Sequence, residues 1–353
     1  MDPITTYANG VSELTKYSHS HEQPPLIVDV IVNPHAGFFK RQSTLNRLIM
    51  ELEQKLADLR ERAPRRKVEI NTVHVTEHPG HARLITEHIL DAEERAGTGI
   101  EHLLIGCGGD GTGNEICTAL VDADKALLDR LKLLRLPLGT GNDVADAPTF
   151  AEAYDLILGP QRTVRTGALQ VACAGSPPRY SFNVGSIGLD AYIVGLTNRF
   201  KRIIPGDAYK FMVDIGSLFY EQRVRPQPMN IRIHGEGKET RIDSFLPSMV
   251  VVGISGARTY GGHMPVLPGR ENVCVVEGMG VLDKIRNKKL FYLGRHGELP
   301  QVRFFTASRV DIDYKSRIPM QLDGELTWLG PESFPLSIHV LSPRIKVLRS
   351  QHV

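Results

Sequence analysis

Gly106-Cys107-Gly108-Gly109-Asp110-Gly111-Thr112-Gly113-Asn114-Glu115 is the stretch on which the reading of this chain turns. The apolar run Leu103-Leu104-Ile105 before it reads as a short buried strand. From Asn114 to Leu128 apolar residues recur at helical spacing, at Ile116, Ala119, Leu120, Ala123, Leu127 and Leu128. A strand, a glycine-packed turn with one carboxylate, and a helix N-terminus together suit a phosphate. Glycines let the backbone approach closely, its N–H groups point outward, and the helix dipole favours an anion. Pro137-Leu138-Gly139-Thr140-Gly141-Asn142-Asp143 repeats the device after Leu133-Leu134-Arg135-Leu136. One such turn is compatible with a simple bend; two in tandem, each joining Asp with Asn and Thr, point to a ligand.

The pattern around them changes character once. Ile27 to Val32 and Val68 to Val75 read as strands, and Thr44 to Arg60 and His81 to Glu94 as amphipathic helices. This alternation predicts a parallel sheet with helices on both faces, whose ligands bind beyond the carboxyl ends of the strands, where the glycine turns fall. From about Val164 the chain turns strand-rich. Met229 to His234 and Glu239 to Ile242 read as a hairpin, and Val273 to Val276, Val302 to Phe305, Val310 to Tyr314 and Met320 to Leu322 as further strands. A helix over Asp207 to Gln222 interrupts them, and the half as a whole reads as a β-sandwich. The expected domains are a loose N-terminal extension over 1–25, an α/β nucleotide-binding domain over 26–160, and a β-rich lipid-substrate domain over 161–335. A last strand, 336–349, is placed as returning to the first domain.

Composition sets bounds. The chain has 353 residues, enough for two domains with cores of their own, and a formal net charge of +2, too small to argue for nucleic acid. Its four cysteines, Cys107, Cys117, Cys173 and Cys274, form no CxxC pair and sit in or beside apolar runs, so they read as reduced thiols in a cytosol. No run of about 18 apolar residues is present to span a bilayer.

Further motifs bring a family into view. Asn33-Pro34-His35-Ala36-Gly37, Thr76-Glu77-His78-Pro79-Gly80-His81-Ala82, Phe182 to Ala191 (FNVGSIGLDA) and Leu322-Asp323-Gly324-Glu325 stand in order along the chain with the two glycine stretches. Together they resemble the NPxxG, TxxxGxA, GGDGTxNE, PLGTGND, FNxxxxGxDA and DGE elements of the diacylglycerol kinase catalytic-domain family. That family includes sphingosine kinases and bacterial lipid kinases and is related to the NAD kinases. The resemblance implies an NAD-kinase-like α/β domain, a β-sandwich domain and an active cleft between them. It also implies ATP and Mg²⁺ as cofactors and transfer of the γ-phosphate to a lipid hydroxyl, most naturally that of diacylglycerol. On the family pattern, Asn33, Gly37, Arg41, Thr76, Gly108, Gly109, Gly111, Thr112, Gly139, Thr140 and Asn142 would line the nucleotide site, and Asp110 would act in catalysis and hold metal.

Several readings stay open on the residues themselves. Asp110 either faces the transferred phosphate or caps its own helix, and Asp143 either caps a helix or binds metal. Asp323 and Glu325, taken as i and i+2 on a strand, would project to one face, and the resemblance implies that the DGE aspartate is the general base. The alternative is a hairpin turn, which Asp-Gly favours. Arg165-Thr166-Gly167 and Gly269-Arg270-Glu271 stand where many relatives carry acids, which argues against a second, structural Mg²⁺. Lys284 to His296 mixes basic, aliphatic and aromatic residues, and Arg199 to Ile204 does so again; each is either a membrane-surface segment or a helix with a solvated basic face. The expected partners are a lipid alcohol and a peripheral membrane surface on the cytoplasmic side, with no nucleic acid; a homodimer is compatible with this reading. Rival functions are a nucleotide- or lipid-binding regulatory protein of the same fold, and a sphingoid-base or ceramide kinase.

Overall fold

The computed structural model describes residues 2–17, 25–97, 99–139, 142, 144–159, 162–200, 208–260 and 264–349. Pro3–Leu14 forms helix α1, in place of the loose extension expected there. Asp2 caps it by accepting from the Thr5 N–H, Pro3 occupies the first turn, and Tyr7, Ala8, Val11 and Leu14 are fully buried. The segment lacks an apolar run, but its apolar residues fall on one helical face, and that face is core.

Residues 1–166 with 343–353 form one compact unit, and 167–342 a second. In the first, β1 (Leu26–Val32), α2 (Gln42–Arg62), β2 (Val68–Val75), α3 (His81–Ala96) and β3 (Glu101–Cys107) follow α1. Next come α4 (Asp110–Val121), α5 (Lys125–Arg130), β4 (Leu131–Arg135) and α6 (Phe150–Leu158). The four strands are parallel in the order β2-β1-β3-β4. β1 is buried along its whole length, as a parallel strand covered on both faces must be. The single helix expected from Asn114 to Leu128 is two helices: Asp124 accepts from the Ala126 N–H and starts α5 after a break. α4 also begins earlier than expected, with Asp110 in its first turn.

The chain passes into the second unit along β5 (Arg162–Ala172) and leaves it along a long last strand. Between them lie β6 (Arg179–Ser181), β7 (Val184–Gly188), α7 (Leu189–Phe200), α8 (Ala208–Val224), β8 (Met229–His234), β9 (Glu239–Phe245) and β10 (Pro247–Gly253). They continue through β11 (Arg258–Tyr260), β12 (Met264–Leu267), β13 (Val273–Glu277), α9 (Val281–Tyr292), β14 (Val302–Phe305), β15 (Arg309–Asp313), β16 (Ile318–Leu322) and β17 (Glu325–Leu329) to β18 (Leu336–Arg349). One antiparallel sheet runs β14-β13-β10-β7-β16-β17, and a second joins β9, β8, β15 and the start of β18. Ile187, Val250 and Val275 of the first share a core with Ile231, Ile312 and Ile338 of the second, which makes the unit a β-sandwich. The far end of β18 pairs Val347 with Leu133 of β4, in parallel, in the first unit's sheet. No helix among the described residues is long and apolar enough to cross a membrane.

Candidate active site

The loops after β1, β2, β3 and β4 are tied to one another by hydrogen bonds. Asn33 Nδ2 donates to Thr112 Oγ1 at 2.9 Å, and the Asn33 N–H donates to the Cys107 carbonyl at 2.9 Å, joining the first loop to the third. The Thr76 N–H donates to the Val32 carbonyl at 2.9 Å, and the Phe38 N–H, just after Gly37, donates to the Leu138 carbonyl at 3.1 Å. Glu115 carries the second loop: its two oxygens accept the N–H groups of Gly80 at 2.8 Å and Ala82 at 3.1 Å. A carboxylate there satisfies orphan donors at the α3 N-terminus and complements its dipole. Nothing in the local pattern around Glu115 points to this task, because its partners lie more than 30 positions earlier in the chain.

The glycines are where backbone meets backbone. A β-carbon at Gly139 would stand 2.8 Å from Gly109 Cα, and one at Gly108 would stand 2.4 Å from Thr112 Oγ1. Gly111 lies open in the first turn of α4, where nothing lies within 4 Å of a β-carbon. The first-turn N–H groups of α4 have no intrahelical partners, so the loop presents donors at the positive end of a helix. Asp110 does not cap α4; its Oδ1 accepts the Val144 N–H at 3.2 Å, bridging to the fourth loop. Asn142, in a left-handed conformation at φ 57°, closes that loop on itself. Its Oδ1 accepts from Gly139 N at 2.7 Å and its Nδ2 donates to the Pro137 carbonyl at 3.2 Å.

Arg135 and Asp146 staple the ends of the fourth loop. Asp146 accepts from the Arg135 backbone N–H at 2.8 Å, from Nε at 3.0 Å and from a guanidinium NH at 2.8 Å; Arg349 adds a contact at 3.1 Å. Both side chains are buried. An arginine inside the run Leu133-Leu134-Arg135-Leu136 was the available signal, since a buried cation needs a partner. Arg41 lies exposed at the start of α2 and takes no part in the hydrogen bonds just described. Thr140, Gly141 and Asp143 lie outside the described residues, as do residues 201–204 of the second basic segment and the expected boundary at Pro160.

In the second unit Asp323 and Glu325 are not i and i+2 of one strand. Asp323 and Gly324, at φ 48° and 89°, form the two-residue turn joining β16 to β17, with Leu322 paired to Glu325. Both turn residues with positive φ is the geometry that Asp-Gly favours. The Asp323 carboxylate accepts from Ser181 Oγ at 2.7 Å and from the N–H groups of Phe182 at 2.6 Å, Asn183 at 3.0 Å and Val184 at 3.2 Å. The DGE aspartate thus locks the FN segment, while Glu325 is exposed. Asp190 of the same segment opens α7, accepting from Ser186 Oγ and, at 3.5 Å, from Gln321 Nε2.

A cavity of about 110 Å³ lies within this unit, lined mainly by apolar side chains, among them Ile193, Met249, Val266, Met279 and Phe291. Lys284 of α9 borders it, buried over the Tyr220 ring and paired with Glu221. Arg165, whose place in the motif order argued against a second metal, donates to Asp129 at 2.5 Å and to the Arg344 carbonyl at 3.1 Å.

Residues 28–168 match the diacylglycerol kinase catalytic domain, and residues 183–349 match the YegS C-terminal NAD kinase beta sandwich-like domain. By these matches the chain is similar to the diacylglycerol kinase family. Among its relatives is a Bacillus subtilis protein named lipid kinase YtlR, 27% identical over 298 residues that cover 80% of this chain and 90% of that one. A Shigella flexneri protein named lipid kinase YegS is 28% identical over 240 residues, covering 66% and 74%. A crystal structure of a diacylglycerol kinase from Bacillus anthracis str. Sterne shares the fold, with a TM-score of 0.55 at 17% identity over 92% of this chain and 97% of that one. In this chain the loops tied by Asn33, Asp110, Thr112 and Glu115 lie in the stretch that matches the catalytic domain, and the Asp323 turn in the stretch that matches the C-terminal domain.

Proposed function

We propose that this protein is an ATP-dependent lipid kinase that transfers the γ-phosphate of ATP to the hydroxyl of a lipid alcohol, with diacylglycerol the first candidate. The observation that carries the reading is the contact of Gly109 with Gly139 beside the α4 N-terminus. Two strand-end loops meet there with no side chain between them, which holds their backbones together at the positive end of a helix, where an anion is favoured. The polyphosphate of ATP fits: the first-turn N–H groups of α4 supply donors beside the open Gly111, and Asp110 supplies a carboxylate. Mg²⁺ is commonly held by one or two carboxylates together with substrate phosphates, so Asp110 is the residue that would hold it. Bound there, the ion would neutralise charge on the transferred group.

This chain's residues account for the rest. Asn33 and Thr112 hold the first and third loops in register, Asn142 shapes the fourth, and the α4 N-terminus faces the anion. Asp110 is also our assignment for the base that receives the acceptor proton. Asp323, which the resemblance made the base, has oxygens committed to four donors and acts as a positioning residue. The apolar cavity of the second unit suits the body of a lipid alcohol.

The test is radiolabelled phosphate transfer from ATP to diacylglycerol, sphingosine, ceramide and a polyprenol in mixed micelles. We expect transfer to one class of these lipids, abolished by Asp110→Ala. ATP binding without transfer to any lipid would instead favour a regulatory protein of the same fold.

A further inference from the structure

Eleven large apolar side chains lie exposed among the described residues, and α9 and its surroundings hold a disproportionate share. Leu282 is 78% exposed, Ile285 41% and Leu293, just past the helix, 53%. Leu246 is 52% exposed and adjoins the chain entering α9: its carbonyl accepts the Gly278 N–H at 2.8 Å. Leu218 and Phe219, also exposed, belong to α8, which α9 contacts through Lys284 and Glu221.

The helix has two faces. Lys284, Lys288, Phe291 and Tyr292 turn inward and line the apolar cavity. Leu282, Ile285, Arg286 and Lys289 are spaced i, i+3, i+4 and i+7, so they share the opposite face, and all four are exposed. That outer face interleaves aliphatic side chains with two cations, and the one acid of the helix, Asp283, lies off its edge by the same spacing. Aliphatic groups at this exposure gain nothing from water. A patch of them beside cations is matched by a surface that is apolar just beneath an anionic layer.

We propose that the outer face of α9, with Leu246 and Leu293, docks this protein on an anionic lipid bilayer. Leu282, Ile285 and Leu293 enter the acyl boundary while Arg286 and Lys289 meet the headgroup phosphates. Docking there would set the wall of the apolar cavity against the membrane that supplies its occupant. The proposal deepens the lipid reading above, yet its measurement requires neither ATP nor turnover, so either can fail alone.

The test is co-sedimentation of the full chain with vesicles of phosphatidylcholine alone and of phosphatidylcholine with phosphatidylglycerol. Binding is expected to the anionic vesicles, weakened by salt. The pair Arg286→Glu and Lys289→Glu should lower partitioning by about fivefold or more, the effect of a basic residue near an anionic surface. The pair Leu282→Asp and Ile285→Asp should lower it by about tenfold or more, through lost apolar burial. Because these residues are exposed, each variant should keep the wild-type melting temperature; Leu293→Asp is the substitute should a pair fail to fold. Failure of the wild type to bind anionic vesicles overturns the proposal, and so does wild-type binding by the folded variants. A concentration-dependent dimer lost in the same variants, without vesicle binding, would assign the face to a second copy and also overturn it.

Discussion

The backbones of Gly109 and Gly139 stand so close that a β-carbon on Gly139 would lie 2.8 Å from Gly109 Cα. Backbone atoms cannot yield as the end of a flexible side chain can. Gly139→Ala therefore has to push the third and fourth loops of the first unit apart. Calorimetry should show ATP affinity reduced by about tenfold or more, the loss of one or two charge-assisted hydrogen bonds at roughly 1.5–3 kcal/mol each. Gly111→Ala, whose β-carbon meets no protein atom within 4 Å, should leave stability near the wild-type value; it controls for folding alone, because that position faces the proposed anion.

Asp110→Asn keeps an oxygen that can accept the Val144 N–H but removes the charge. Its melting temperature should stay close to that of the wild type. Turnover should fall by about 10²–10⁴-fold, the range for losing a general base. Near wild-type turnover would remove Asp110 from the reaction.

Asp323→Asn is predicted to act on stability before chemistry. An amide has one acceptor oxygen where the carboxylate has two, so its NH₂ group is set against N–H donors that now serve Asp323. Denaturant titration should show a loss of about 1–3 kcal/mol, the cost of leaving buried donors unpaired. If stability is unchanged while turnover falls by the factor predicted for Asp110→Asn, Asp323 is the base and the assignment above is reversed.

Asp146→Ala takes from the buried Arg135 guanidinium the carboxylate it is paired with. Removing one partner of a buried ion pair costs about 3–5 kcal/mol. We expect a lowered unfolding midpoint and weakened ATP binding, since Asp146 closes the loop that carries Gly139 and Asn142.

Asp29, on β1, lies 2.6 Å from His74 Nε2 and 2.9 Å from His102 Nε2. Burial works to raise its carboxyl, but the contacts with His102 and His74 outweigh it and hold the group below the ordinary carboxylate range. An unfolded Asp titrates near about 3.9. Asp29 therefore contributes stability that is fully present well above that value and is lost as pH falls through its lowered folded value. Melting curves from neutral pH downward should show Asp29→Asn losing less stability than the wild type below about pH 4. Parallel acid limbs would remove Asp29 from the acid response.

Much of the first unit was legible in the chain because its signals are local. The run from Leu26 to Val32, the helical spacing of Leu45, Leu48, Leu52 and Leu56, and glycine turns at strand ends each need only neighbours in sequence to be read. The same holds for α1, where Tyr7, Val11 and Leu14 fall on one face behind Asp2 and Pro3, though a polar composition hid that pattern. The hairpin turn at Asp323 was likewise written in its Asp-Gly pair.

By itself the sequence determined the parallel sheet followed by a β-sandwich and the glycine loops at the strand ends. The tertiary structure decided which partner each polar side chain meets. Glu115 reaches the α3 N-terminus, Asp146 reaches Arg135, and Asp323 takes the N–H groups of Phe182, Asn183 and Val184, which lie some 140 positions earlier in the chain. No local pattern encodes such pairings. A carboxylate's role depends on which donors the packed core leaves unsatisfied beside it, and that is fixed only once the sheets have closed.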